Sequence, residues 1–175
     1  MQEIRLTPTS YIVLGLLELA GESTPYSLKQ LVAGSVGYFW TLQHAQLYTE
    51  PARLAKAGFV SEKREDTGRR RRLYSITAKG SAALEDWRTG ATTELAELRE
   101  PALLKLFFGA DAKALAAAQI PANRARLEEY EAIRDSMPDD VPPGPRQALE
   151  MGIRFERAAI AFWEELAGGR ASRRQ

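Results

Sequence analysis

TLQHAQLYTEPARLAKAG at residues 41–58, continued by FVSEKREDTGRRRRLYSIT at residues 59–77, is the stretch on which the fold turns. The first part has the period of a helix. At 100° per residue, Leu47, Tyr48, Pro51, Leu54 and Ala55 gather on one side, with Leu42, Gln46, Thr49, Arg53 and Lys56 opposite. Thr41 suits an N-cap and Gly58 a C-terminal glycine, while His44 falls nearer the inner side as a capping or packing residue. The period then changes. Residues 59–64 are short and β-like, Glu65-Asp66-Thr67-Gly68 is turn chemistry, and Arg71, Leu73 and Ser75 alternate with Arg72, Tyr74 and Ile76, which predicts a hairpin.

Upstream, Thr7-Pro8 opens an almost wholly apolar helix to Ala20, with Ile12, Val13, Leu16, Leu17 and Leu19 on more than one face and so inside a core. Residues 21–25 form a loop, and Pro25 starts a second helix to about Ala33. Downstream, Thr77 caps a helix that reaches Trp87 and continues to Leu98. Pro101 to Phe108 is a short helix, and Asp111 caps a long one to about Met137, kinked or restarted at Pro121. A proline-rich loop then leads into a last helix from Pro145 to Ala167. The expected fold is mainly α with a small β-hairpin. Residues 1–98 form a winged helix-turn-helix DNA-binding domain, 99–168 a helical dimerisation domain and 169–175 a flexible tail.

Composition narrows the function. The 175 residues are 45% hydrophobic and 27% charged, an ordinary folded composition. With no cysteine and one histidine, disulfides, thiolate zinc sites, cysteine nucleophiles and histidine-rich metal sites are excluded. The acidic pairs Glu128-Glu129, Asp139-Asp140 and Glu164-Glu165 are adjacent in sequence and diverge on a helix. Gly34-Ser35-Val36-Gly37 lacks the following lysine of a phosphate loop. No catalytic residue, metal or cofactor is expected. The longest apolar run, residues 11–17, is too short to cross a bilayer and ends in the charge of Glu18, so the chain reads as cytoplasmic without a secretory leader.

Charge is divided along the chain. Residues 1–80 carry 11 Lys and Arg against 7 Asp and Glu, whereas residues 81–175 carry 13 against 16. A basic first half on an acidic second half suggests a nucleic-acid-facing module carried on something else. The outer side of the third helix offers amides, a hydroxyl and cations with no acid among them, as a reader of base edges and phosphates needs. Gln43, Gln46, Thr49 and Arg53 are the candidates for base and backbone contact, with Thr41 at the helix start. Tyr48 and the hairpin cations Lys63, Arg69, Arg70 and Arg72 are the candidates for phosphate contact. Because alternate strand residues face opposite ways, two or three of the four arginines at 69–72 should reach DNA and the others pair with acids.

Ala45-Gln46-Leu47-Tyr48, residues 54–60 and Arg71-Arg72-Leu73-Tyr74-Ser75-Ile76-Thr77-Ala78-Lys79-Gly80 resemble the recognition-helix and wing signatures of the PadR family of bacterial transcriptional regulators. Pro51 departs from the pattern, as does Gln46, where many relatives carry a small hydroxyl residue. The C-terminal helices resemble those of the longer subfamily. The resemblance implies a regulator that dimerises through these helices and answers to phenolic or drug-like aromatic compounds. Independently, the last helix is apolar on two sides: Leu149, Ile153, Ile160, Trp163 and Ala167 form one stripe, and Met151, Phe155, Ala158, Phe162 and Leu166 another. Two opposite stripes suit a partner chain, the alternative being that the long helix from Asp111 folds back over the second stripe; on the first reading Leu149, Ile153, Phe155, Ile160, Phe162 and Trp163 are the candidate dimerisation residues. The expectation is a homodimeric repressor binding a pseudo-palindromic operator in double-stranded DNA and released by a small aromatic effector. Its ligand-binding residues are not readable. The alternative is a helical adaptor that uses the winged fold to bind protein.

Overall fold

Thr7 opens α1 (Pro8–Ala20) with a reciprocal cap: its amide donates to Ser10 Oγ at 2.8 Å, and its own hydroxyl oxygen accepts from Ser10 N at 3.4 Å. Thr24 does the same work for α2 (Pro25–Ala33), accepting from Ser27 N at 3.0 Å. Pro8 and Pro25 both sit in a first turn, where a missing amide hydrogen costs nothing. A short 3-10 turn, Val36–Tyr38, leads toward α3 (Gln46–Lys56). Then β1 (Val60–Arg64) and β2 (Arg72–Ile76) pair antiparallel, from Val60 opposite Ile76 to Arg64 opposite Arg72. This computed structural model describes residues 4–65 and 70–168; Arg69, Gly68 and the tail at 169–175 lie outside the described residues.

The chain divides into two compact units, Met1–Glu94 and Leu95–Gln175. The first packs Val13, Leu14, Leu16 and Leu17 of α1 against Leu28, Leu47, Leu54, Val60, Tyr74 and Leu84. Leu19 is the exception to the expected apolar face, standing exposed. A feature not read from the sequence ties the hairpin to the helices: Ser23 N donates to Tyr74 O and Tyr74 N to Ser23 O, both at 2.9 Å. The α1–α2 loop thereby serves as a third, one-residue strand on the open side of β2.

Two glycines carry the base of the hairpin. Gly58 turns the chain from α3 into β1 at φ +78°, a conformation that L side chains rarely adopt. Gly80, in the first turn of α4 (Ala78–Thr89), lies so close to Phe59 O that any Cβ would overlap it, and would stand 2.9 Å from Ile76 Cγ1. Thr77 caps α4 and also donates its hydroxyl hydrogen toward Gly58 O, at 2.8 Å.

The expected continuation of α4 to Leu98 does not occur. The helix stops at Thr89, and residues 91–100 have no regular structure. Gly90 ends it, and the following threonines favour local bonds, Thr92 Oγ1 accepting from Glu94 N at 3.4 Å. No apolar side is buried there to repay helix formation, since Leu95 is 94% exposed.

The second unit holds α5 (Pro101–Phe107), α6 (Ala112–Ser136) and α7 (Pro143–Ala167). Asp111 caps α6 through Ala114 N at 2.7 Å. Of the two outcomes open at Pro121, restart is ruled out: one helix runs through it, with the ring exposed on the solvent side, where carbonyls can open toward water. The last helix begins at Pro143, two residues before the expected Pro145, because a proline in the first turn already has its helical φ. Ala102, Ala116 and Trp163 form the centre of the unit, with Leu103, Leu106, Leu115, Ile120 and Leu166 packed around them. Gly152 of α7 makes room for Tyr130 of α6, since a Cβ there would come within 2.9 Å of the ring.

The two stripes of α7 separate, with corrections. Ile153 and Trp163 are buried inside the unit and Leu149 and Ile160 are half-buried, so none of these four is an open surface. Leu166, expected on the second stripe, packs with the inner set. Met151, Phe155 and Phe162 are 66%, 50% and 41% exposed, and that stripe is uncovered.

One carboxylate in this unit is poorly satisfied: Glu156 Oε2 is buried with no hydrogen-bond partner among the described residues. Burial pushes the Glu156 carboxyl above the usual range, partly opposed by Arg126 of α6 and reinforced by Glu100 before α5. A carboxyl raised on folding adds stability that is complete below its unfolded pKa, about 4.3, and lost as pH rises through the folded value. Glu156→Gln is therefore expected to raise the melting temperature at pH 7 by about 2–4 °C, the shift that 1 kcal/mol gives in a chain of this length. The gain should vanish near pH 4; a melting temperature lowered at pH 7 would mean the carboxylate is needed in its charged form.

Candidate nucleic-acid interface

The third helix starts later than its sequence suggests. Ala45, which has no side-chain cap to offer, occupies the N-cap position of α3, and Thr41 makes no cap. The approach is wound tightly, Gln46 N donating to Gln43 O at 2.9 Å and Leu47 N to His44 O at 3.1 Å. Residues 41–45 thus precede the helix, and a 100° count begun at Thr41 misplaces them. Leu42, expected on the outer side, packs against the core. His44, expected to pack or cap, is exposed.

Within the helix the period holds with one correction: Tyr48, expected on the inner side with Leu47, is 49% exposed. Leu47, Pro51 and Leu54 are buried. Pro51 lies inside α3, where its ring faces the core and its missing amide hydrogen removes one helical bond. Gln43, Gln46, Tyr48 and Thr49 are all exposed around the start of the helix, with Thr41 before them and Lys56 at the far end. Thr49 Oγ1 donates back to Ala45 O at 3.2 Å, which orients its hydroxyl along the helix. The first turn of α3 contains no acid, its N–H groups are taken by the backbone carbonyls of Gln43, His44 and Ala45, and exposed amide and hydroxyl side chains surround it.

Arg53 is placed differently from the expectation. Its Nη2 donates to Glu50 Oε1 at 2.6 Å and to Ser10 Oγ at 3.0 Å, its Nε to Glu50 Oε2 at 2.8 Å and its Nη1 to Arg5 O at 3.2 Å. Glu50, the single acid of α3, is only 9% exposed and also accepts from Ser10 Oγ at 2.6 Å. Burial pushes the Glu50 carboxyl up, but the bonds from Arg53 and Ser10 outweigh it and hold the group below the usual carboxylate range. Arg53 is raised in turn, first by its bond to Glu50. The guanidinium pins α3 to α1 and leaves little to offer a base. The sequence contained the signal: at 100° per residue Glu50 falls beside Leu47 and Leu54, and an acid on an inner stripe needs a cation one turn away.

The hairpin sorts its cations as the alternation of a strand requires. Arg71 pairs with Glu65 at 3.0 Å. Arg64 and Arg72 share Glu62 Oε1 at the longer distances of 3.7 and 3.6 Å, and Glu62 Oε2 accepts from Tyr74 OH at 3.1 Å. Lys63 and Arg70 are exposed and have no ion-pair partner among the described residues. Arg70 adopts φ +49°, at the near edge of the turn. The candidate Arg69 lies outside the described residues.

The Transcriptional regulator PadR-like family model matches residues 13–86, and the model for the C-terminal region of Virulence activator alpha matches residues 98–168. The Negative transcriptional regulator PadR of Bacillus subtilis is 28% identical over 100 residues, which cover 56% of this chain and 54% of that protein. The chain thus aligns in sequence with about half the length of this relative. Among solved structures, Bacillus subtilis PadR in complex with operator DNA superposes with a TM-score of 0.81 at 22% identity, covering 95% of this chain and 99% of that one. The same regulator in complex with p-coumaric acid gives 0.74 at 22% identity, over 91% and 96%. The Vibrio cholerae virulence activator AphA gives 0.66 at 22% identity, over 92% and 96%. At these identities the structural likenesses speak for the fold.

Proposed function

We propose that the chain is a member of the PadR-like family of transcriptional regulators, a homodimeric, effector-responsive repressor working on a pseudo-palindromic operator in the cytoplasm; the family match over residues 13–86 supports the reading. The observation that carries the DNA contact is the polarity of α3. Its only acid is folded inward, while Gln43, Gln46, Tyr48 and Thr49 are exposed around its N-terminal end. A recognition helix reads base edges with the residues at its N-terminal end. The wing supplies charge, led by Lys63 and Arg70, with Arg72 available from its loose pairing to Glu62. Residues 1–98 are the DNA-binding domain in this reading, and 99–168 the dimerisation domain.

The second copy is assigned to the uncovered stripe of α7, Met151, Phe155 and Phe162, since large apolar side chains on one helix face are costly to leave in water. Two-fold symmetry then sets two α3 helices about 34 Å apart, in successive turns of the major groove. Relief by a small aromatic compound is proposed by analogy with the p-coumaric acid complex of Bacillus subtilis PadR.

Selection of bound fragments from random duplex DNA at moderate salt tests the reading and yields the operator; recovery of no preferred sequence would overturn it. On that operator, Arg70→Ala and Arg72→Ala should weaken binding to all sequences alike and flatten the salt slope by about one unit per lost phosphate contact. Arg70 should show the larger effect, because Arg72 has to leave Glu62 first. A collapse of sequence preference with an unchanged slope would mean that the wing reads bases instead.

A further inference from the structure

The short helix α5 has two apolar sides, and only one of them is used within the chain. Ala102, Leu103 and Leu106 turn inward against Ala116 and Trp163. Leu104, Phe107 and Phe108 follow the spacing i, i+3, i+4, which puts them together on the other side. They are 62%, 82% and 78% exposed. The two rings meet edge to face with 5.2 Å between centroids, so each restricts the other before any partner arrives. Single apolar residues in water are ordinary, but three large ones on one turn of helix form a contiguous patch, and such patches mark contact surfaces. No stretch of this sequence is left to cover it. Residues 1–3, 66–69 and 169–175, which lie outside the described ones, hold no apolar side chain larger than alanine except Met1.

Area identifies the occupant. A stable interface buries roughly 800 Å² on each side, somewhat over half of it apolar, which sets a need of roughly 450 Å² of apolar surface per copy. At about 200 Å² for a fully exposed large side chain, Met151, Phe155 and Phe162 of α7 offer only about 300 Å². Leu104, Phe107 and Phe108 add about 450 Å² on the same scale, and the total then passes the requirement. We infer that the outer side of α5 is a second surface of contact with another copy of this chain, anchored by Phe107 and Phe108. The inference rests on the homodimer proposed above and extends it from α7 to α5. Rigid aromatic side chains are where interface energy concentrates, and two-fold symmetry brings in the pair from each copy.

Sedimentation equilibrium of the full chain measures the effect. Phe107→Glu with Phe108→Glu should raise the dimer dissociation constant about 100-fold or more, while circular dichroism shows the helical content of the parent, because both side chains stand in solvent. Phe107→Leu with Phe108→Leu keeps an apolar surface and should stay within about ten-fold of the parent. Benzoylphenylalanine in place of Phe107 should, on irradiation, join two chains covalently, and this readout decides alone if the glutamate variant loses helix. A dimeric parent whose dissociation constant ignores the glutamates, equal losses in the leucine and glutamate variants, or a crosslink confined to one chain would overturn the α5 contact and leave the α7 contact standing. A parent that stays monomeric would overturn the homodimer and this contact with it. If that monomer sediments with vesicles of anionic phospholipid, the face belongs to a membrane surface instead.

Discussion

Glu50→Ala is expected to destabilise the first unit by about 2–3 kcal/mol at pH 7, somewhat below the roughly 3–5 kcal/mol that removing one partner of a fully buried ion pair costs. The carboxylate accepts two bonds from Arg53 and one from the buried Ser10, so alanine leaves a half-buried cation and a hydroxyl without their acceptor. Arg53 can still turn partly to water, which keeps the loss below that of a fully enclosed pair. In a chain of this length the melting temperature should fall by about 5–10 °C. Operator affinity should fall as well, because the same contact fixes α3 against α1.

The pH dependence has a definite sign. A carboxyl lowered on folding contributes stability that is complete above its unfolded pKa and lost as pH falls through the folded value. The difference between parent and Glu50→Ala should accordingly shrink below about pH 4. Glu156 runs the other way, so the two acids bracket the range in which the chain is most stable. Denaturant titrations of Glu50→Ala, Arg53→Leu and the double variant supply the check. The double variant should cost less than the sum of the single ones, and strict additivity would mean that the two side chains do not support each other.

The network also marks the limit of what the sequence could reveal. Helix starts at Thr7, Thr77 and Asp111 were legible because each depends on one hydroxyl or carboxylate and an amide a few residues on. Thr41 offered the same chemistry and was passed over. There a tight turn through Gln43 and His44 sets where α3 begins, and the core position of Leu42 supports that turn. Such a start is decided by packing across the domain, which no local pattern records. The bonds between Ser23 and Tyr74 belong to the same class: they join residues far apart in sequence through backbone groups that every residue possesses. On α7 the period revealed two apolar stripes, but which one is covered depends on α5 and α6.

That last distinction makes the second large effect testable. Phe155→Glu with Phe162→Glu is expected to convert a dimer into a monomer and to lower affinity for a two-half-site operator about 100-fold or more. Both side chains are substantially exposed, so charge at these positions should leave the unit folded, whereas Trp163→Glu, 3% exposed, should unfold it. The affinity loss follows from geometry. In a dimer the second module binds at the effective concentration set by the first, and a monomer gives up that advantage while keeping each half-site contact. Sedimentation should show a single species of 19.4 kDa, and affinity for an isolated half-site should equal that of the parent. If the parent chain is itself monomeric at micromolar concentration, or if the double variant keeps full affinity for the whole operator, the uncovered stripe does not hold the second copy. Loss of half-site affinity would point elsewhere again, to a role for α7 in placing α3, because dimerisation alone cannot alter a contact made by one module.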